Sequence, residues 1–237
     1  MIAIIGGSGL THLPELNITH RQIIRTPYGL PSSPVISGKL GNQFIVFLAR
    51  HGLNHALAPH EINYRANIWA LHSLGVKEII SVSAVSAISS DIELGALVLP
   101  DDLIDYTYGR ESTFFEGQDK EVVHTEFDPP YSTSLRQTLL DHAASRNTTI
   151  LASSVYGCLQ GPRLPTRAEI RRYRNDGVDI IGMTGMPEAI LAKELELDYV
   201  HLCGVIGHND GHQHSPDFRS RQAHIAIQKI QQLLVDM

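Results

Sequence analysis

Arg50 and His51 end the run Phe44-Ile45-Val46-Phe47-Leu48-Ala49-Arg50-His51-Gly52, and a helix pattern opening Asn63-Tyr64-Arg65-Ala66-Asn67 follows. A planar guanidinium beside an imidazole at a strand end forms an anion-reading fork; a solvated surface pair is the plainer alternative. Two distant segments offer groups of the same kind. Gly6-Gly7-Ser8-Gly9-Leu10 follows an apolar run and can wrap backbone N–H groups and the Ser8 hydroxyl around a phosphate, or form an ordinary tight turn. Its spacing is not GxGxxG, and Pro14 interrupts the helix a dinucleotide loop needs. Gly182-Met183-Thr184-Gly185-Met186-Pro187-Glu188 puts a hydroxyl just ahead of a helix start, where it can cap the helix or hold an oxyanion. Ser81-Val82-Ser83-Ala84-Val85-Ser86 carries small hydroxyl residues along a buried strand, which leaves either room for a ligand or close packing. Three anion-reading segments at strand ends imply one oxyanion site.

The stretch His208-Asn209-Asp210-Gly211-His212-Gln213-His214 invites a metal reading through His212 and His214. Gly211 and Pro216 make it a loop, and no cysteine or carboxylate cluster completes a ligand set, so no metal is expected. His201, within an apolar run, reads as a core residue.

The elements that must position these groups alternate. Apolar, β-branched runs at 2–5, 44–48, 79–82, 96–99, 179–181 and 199–206 read as strands, several of them buried on both faces. His60 to Leu74 reads as a helix with Ile62, Ala66, Trp69, Ala70 and Ser73 on one face and Gly75 as its stop. Thr166-Arg167-Ala168-Glu169 is a capping-box pattern, and Ser215-Pro216 opens a last helix with Phe218, Ile227, Ile230 and Leu234 as a stripe. The alternation predicts an α/β fold with a mixed or largely parallel sheet, whose sites lie at strand ends.

With 237 residues and no linker or low-complexity stretch, one domain over 1–237 is expected. The formal charge is −6 and the 19 Lys and Arg are scattered, so there is no electrostatic case for nucleic acid or an anionic membrane as partner. Any anionic ligand must be held locally. Cys158 and Cys203, without CxxC spacing, suit a reducing cytoplasm. The chain shows neither a signal-peptide pattern nor an 18-residue apolar span, so a cytoplasmic protein is expected.

As an ordered set the segments resemble the trimeric purine nucleoside phosphorylase family, in its methylthioadenosine and methylthioinosine phosphorylase branch. The resemblance covers nearly the whole chain. Its marks are Ile4-Ile5-Gly6-Gly7-Ser8-Gly9-Leu10, Ala49-Arg50-His51-Gly52 with Asn63 to Leu71, Gly161-Pro162-Arg163, and Gly182-Met183-Thr184 followed by Pro187-Glu188-Ala189. It implies a single-domain phosphorylase fold, a central mixed β-sheet flanked by helices. It implies phosphorolysis of a 5′-methylthio purine nucleoside to free base and 5-methylthioribose 1-phosphate, with inorganic phosphate as co-substrate, no cofactor, and a homotrimer or dimer of trimers as the assembly. By the family pattern Ser8, Arg50, His51, His55, Ser83, Ala84 and Thr184 would surround phosphate. Met183 would lie under the ribose, and Leu159 and Leu164 would line the base. Pro59 and His124, from the next subunit in the family, would help close the methylthio end.

Chemistry agrees with that division. Glycosidic cleavage passes through a ribose of oxocarbenium character, so an anion beneath the anomeric carbon both attacks and stabilises. The leaving purine needs a proton or strong hydrogen bond at N7; the resemblance implies that the strand end at Val205 to Asp210 supplies it. Here the chain departs from the family. Gly207-His208-Asn209 and then Asp210 replace an Asp-x-Asp pattern, so Asn209 and Asp210 are the catalytic candidates, with Gly207 at the usual polar position. An asparagine amide can donate to O6 and accept from N1–H, which favours methylthioinosine over methylthioadenosine. Ser86 stands where glycine is usual, and Leu164 replaces a frequent phenylalanine. A general 6-oxopurine nucleoside phosphorylase and a catalytically degenerate nucleoside-binding protein of the same fold are the alternatives.

Overall fold

The computed structural model describes residues 1–10, 12–117, 121–209, 216–235 and 237. In chain order the elements are β1 Ile2–Gly6, β2 Leu16–Gln22, β3 Val35–Leu40, β4 Gln43–Ala49, α1 Tyr64–Ser73, β5 Glu78–Ala87, β6 Leu97–Val98, β7 Asp102–Asp105 and α2 Thr133–Ser145. There follow β8 Ile150–Leu151, β9 Val155–Cys158, α3 Arg167–Asn175, β10 Ile180–Gly182, α4 Glu188–Glu194, β11 Asp198–His208 and α5 Pro216–Leu234. They build one mixed sheet with the path β2-β3-β4-β1-β5-β10-β9-β7, while β11 joins β5 to β6 and β6 joins β8.

Strand β5 is the hub. Along one edge it pairs with β11 in parallel over its whole length, from Glu78 opposite Asp198 to Ala87 opposite His208. Its other edge is shared. β1 runs parallel to it only as far as Ile5 opposite Ser81, and β10 runs antiparallel only at Ser86 and Ala87. Residues 82–85 therefore have a strand neighbour on one side only. Backbone groups freed by such an interruption must find other partners, and here they face the site.

The sheet is buried on both faces, which is why its central strands are near-continuous apolar runs. Ile79 and Val85 of β5 pack with Ile68 and Leu71 of α1 and Leu191 of α4. Ile80 and Val82 turn the other way, toward Leu135 and Leu139 of α2 and Ile227 and Ile230 of α5. Each fully buried Leu or Ile contributes about 1.5–3 kcal/mol. A smaller cluster of Leu159, Ile170, Tyr173 and Ile181 seats α3.

Several expected boundaries shift. The first helix begins at Tyr64 rather than His60, because the Asn63 side chain accepts the Ala66 N–H and so fixes the N-terminus. Gly75, at φ +78°, supplies the stop that was read from the sequence. Thr166 and Glu169 form the expected capping box of α3. The strand read as 199–206 runs on to His208 across a bulge between Val205 and Gly207, held by Gly207 opposite Ser86 and His208 opposite Ala87. The loop therefore begins two residues later than the sequence pattern suggests. Among the described residues no helix is long and apolar enough to cross a membrane.

Candidate active site

A cavity of about 320 Å³ opens at the interrupted edge of β5. That volume lies at the lower end of the range for small-molecule sites. Ser8, Arg50, His51, Ser83, Ala84 and Thr184 form its polar side. They come from four strands: Ser8 after β1, Arg50 and His51 after β4, Ser83 and Ala84 within β5, and Thr184 after β10. The three anion-reading segments of the sequence thus converge.

Arg50 is fully buried, and its guanidinium is largely committed to the protein. Nε donates to Glu188 Oε2 at 2.6 Å; Nη2 donates to Glu188 Oε1 at 2.9 Å and to Ser81 Oγ at 2.5 Å; Nη1 donates to the Val82 carbonyl at 3.2 Å. The bidentate face expected to meet an anion is therefore turned to Glu188. Four of the five N–H groups are used, and one on Nη1 remains for the cavity. Burial alone would lower the Arg50 pKa, but Glu188 outweighs it and holds the guanidinium charged. Burial likewise penalises the Glu188 carboxylate, and Arg50 with Ser81 more than offsets that, leaving its pKa below the ordinary value.

His51 is neutral near pH 7. Burial first, then the Arg50 charge, lowers its pKa to about 4. Its Nδ1 lies 2.8 Å from the Leu57 carbonyl, so the proton sits there and Nε2 is left as an acceptor. Such a nitrogen suits the single O–H of a monohydrogen phosphate. His55 stacks on His51 with ring centroids 4.4 Å apart and lies 3.4 Å from Ser8 Oγ through Nε2, but it is exposed and beside the cavity rather than in its wall. Gly7 must lack a side chain: a Cβ there would meet the Val82 carbonyl at 2.5 Å and Arg50 Nη1 at 2.8 Å.

On β5 the Val82 carbonyl faces the open edge, and strand alternation turns the Ala84 N–H the same way. Ser83 Oγ lies 3.1 Å from Thr184 Oγ1, both buried. Thr184 does not cap a helix: α4 starts after Pro187, with no side-chain cap. Its hydroxyl belongs to the cavity wall instead.

Leu159, Met183, Ile181 and Ile206 form the apolar side, with Gly207 and Asn209 at its far end. Leu164 lies at the rim, 58% exposed. Pro59, in the loop between β4 and α1, lines the cavity of its own chain. His124 is exposed and does not reach this cavity. Asp210, with His212 and His214, lies outside the described residues.

His208, from the histidine run in which no metal is expected, lines the cavity beside Asn209. Two contributors are not visible in the sequence. Glu188 reads there only as a helix-start residue, yet it neutralises Arg50. Arg110 donates to the carbonyls of Gln160 at 2.8 Å, Met183 at 2.9 Å and Met186 at 2.5 Å, tying together the two loops that carry the apolar wall. A buried partner for an arginine at a strand end was the available signal for Glu188; nothing local marks Arg110.

Comparison with known proteins agrees with this arrangement. The chain belongs to the phosphorylase superfamily, whose profile it matches over residues 1–237. It is 46% identical over 234 residues to a probable S-methyl-5′-thioinosine phosphorylase of Pseudomonas syringae, covering 99% of this chain and 92% of that one. It is 46% identical over 206 residues to the S-methyl-5′-thioadenosine phosphorylase of Saccharolobus solfataricus, covering 86% and 75%. The solved methylthioadenosine phosphorylase of Schistosoma mansoni in complex with adenine superposes with a TM-score of 0.94 at 29% identity, over 99% of this chain and 89% of that one.

Proposed function

We propose that this chain is a purine nucleoside phosphorylase that cleaves S-methyl-5′-thioinosine, with S-methyl-5′-thioadenosine as the nearest second substrate. One observation carries the reading: a single cavity joins a donor-lined wall of Ser8, Arg50, Ser83 and Thr184 to an apolar wall of Leu159, Met183 and Ile206. Phosphate would sit between Ser8, the Arg50 Nη1 N–H, His51, the Ala84 N–H and the Ser83–Thr184 hydroxyls. With Glu188 cancelling the Arg50 charge, the anion is held by many short dipoles and stays nucleophilic. The ribose lies over it against Met183, so positive charge developing at the anomeric carbon meets phosphate oxygen. The C1′–N9 bond breaks toward the base, the phosphate oxygen closes on C1′, and the base must gain a proton or hydrogen bond at N7.

Asn209 and Asp210 are the proposed catalytic groups at the base edge, joined by His208; Asp210 donates to N7 only in its protonated form. Asn209 can donate to O6 and accept from N1–H, which supports the 6-oxo base. The name carried by the Pseudomonas relative supports it too. Phosphate is the co-substrate, and the reaction calls for no cofactor.

A homotrimer, alone or doubled, is part of the same proposal. Val122 and Val123, 77% and 47% exposed, immediately precede His124 on a surface that a second copy could cover, bringing His124 to a neighbouring cavity. The buried free thiols Cys158 and Cys203 fit a cytoplasmic setting.

Incubation with methylthioinosine, methylthioadenosine, inosine and adenosine, each with and without phosphate, tests the assignment. Phosphate-dependent hypoxanthine release, fastest from methylthioinosine, is expected. Release from none of the four would overturn it, and equal rates from inosine would replace it with a general 6-oxopurine phosphorylase.

A further inference from the structure

His201 is fully buried in β11 behind the cavity wall, and the proposed reaction gives it no role. Its Nε2 lies 2.8 Å from Ser83 Oγ, and Ser83 Oγ lies 3.1 Å from Thr184 Oγ1. Both hydroxyls line the cavity; the imidazole does not. On its other side Nδ1 has no hydrogen-bond partner among the described residues. What faces it is the Gly185 backbone, where an added Cβ would sit 3.0 Å from Nδ1, and the Tyr156 ring packs edge-on at 4.7 Å.

We infer that His201 is a positioning residue that sets the direction of the Ser83–Thr184 hydroxyl chain, so that a hydroxyl proton points into the cavity toward phosphate. The inference rests on the phosphorolytic reading for the identity of the anion. Proton counting supplies the direction. Burial, and then the Arg50 charge, keeps the imidazole neutral, with its pKa lowered to about 3, so it carries one proton. Nδ1 is unpaired in either tautomer, but what faces it is the Gly185 backbone and the Tyr156 ring, whose C–H groups can meet a lone pair and cannot accept from an N–H, so an orphan donor there costs more than an orphan acceptor. The proton therefore sits on Nε2 and is donated to Ser83 Oγ.

Ser83 then keeps its own proton for Thr184 or for the cavity. Where it goes to Thr184, the Thr184 proton is released to the cavity instead. Either way the hydroxyl pair presents a donor to the anion. In the opposite tautomer Ser83 would donate to His201 and Thr184 to Ser83. The cavity would then meet only oxygen lone pairs, which repel phosphate. One buried imidazole proton thus decides whether this wall attracts or repels its ligand.

The nitrogen-15 resonances of histidine in the wild-type protein report the tautomer directly. A pyrrole-type Nε2 and a pyridine-type Nδ1 are expected at neutral pH, and the reverse pattern overturns the inference. Calorimetric titration with inorganic phosphate alone gives the second readout. His201→Ala should weaken phosphate binding about tenfold, the size of one charge-assisted hydrogen bond, while the nucleoside KM stays within about twofold. His201→Gln, whose amide can still donate to Ser83, should restore most of the loss. Ser83→Ala should weaken phosphate binding to a similar extent and make His201→Ala silent when the two are combined. Additive losses, or equal losses for phosphate and nucleoside, overturn it. Should His201→Ala not fold, the Gln and Ser83 variants and the wild-type tautomer still decide. A wild-type protein that binds no phosphate removes the phosphorolytic reading and this inference together, whereas the wrong tautomer with normal phosphate binding removes this inference alone.

Discussion

At the scale of single residues, the Arg50–Glu188 pair sets the character of the site. Both side chains are fully excluded from solvent, and their carboxylate–guanidinium contact at 2.6 Å is reinforced by Ser81 and by Tyr199, whose hydroxyl donates to Glu188 at 2.9 Å. Desolvating two charges consumes most of what their attraction returns, so the intact pair contributes little net stability. Removing one partner leaves the other buried and uncompensated. Glu188→Ala should therefore cost about 3–5 kcal/mol, read as a shift of the urea midpoint at unchanged slope. A loss below about 1 kcal/mol would mean that water reaches Arg50. Gly7 makes a complementary point about space rather than charge. Gly7→Ala places a methyl against the Val82 carbonyl and Arg50 Nη1, where the single free guanidinium N–H leaves the protein. Its expected signature is a phosphate KM raised about tenfold or more, the equivalent of one lost charge-assisted bond, with the nucleoside KM little changed.

At the scale of elements, the sheet is an arrangement of strands that stop at the right place. β1 releases β5 after Ser81, and β10 rejoins it at Ser86; of the four residues between them, Ser83, Ala84 and Val85 line the cavity. The sequence displays this lining, because from Ser81 to Ala87 only Val82 and Val85 are larger than alanine or serine. It does not display the partners, since strand pairing between residues as far apart as Ile5 and Ser81 or Ser86 and Ile181 leaves no local trace. The same contrast holds elsewhere. The capping box of α3 and the glycine stop of α1 are local chemistry and were legible. β2 was not, because LNITHRQ is an exposed edge with one buried residue. The weakly patterned α2, which buries Leu135, Leu139 and Ala143, escaped for the same reason. Arg110 shows how distant elements are held in register. It is only partly buried and joins the carbonyls of Gln160, Met183 and Met186, so it fixes the loop after β9 against the loop after β10. Arg110→Ala should loosen both loops at once: we expect the nucleoside KM to rise about tenfold, with the phosphate KM changing less than threefold, since hydrogen bonds to a charged donor carry about 1.5–3 kcal/mol each. A selective effect on phosphate instead would place Arg110 in the anion site.

Across the whole molecule, burying neutral histidines next to a buried cation couples the fold to pH. His51 and His201 are both held neutral, by burial and by Arg50, with pKa values lowered to about 4 and about 3. In the unfolded chain each returns to about 6.5. Between pH 6.5 and 4 the unfolded state therefore binds more protons than the folded state, so stability falls as pH falls; above pH 6.5 the two states match and the contribution is fully present. Each histidine contributes a slope of up to about 1.4 kcal/mol per pH unit in that window. By pH 5 the two together remove about 4 kcal/mol, a large part of a total stability on the order of 5–15 kcal/mol. Thermal melts without phosphate at pH 7.5, 6.5, 5.5 and 5.0 should be flat over the first step and drop steadily afterwards. His201→Gln removes one titrating group without removing the Ser83 contact, so its melting temperature should fall about half as steeply over the last two steps. A wild-type melt that stays flat down to pH 5.0 would show that both rings take up their second proton as readily in the folded protein as in the unfolded chain, and the proton counting that orients Ser83 would fail with it.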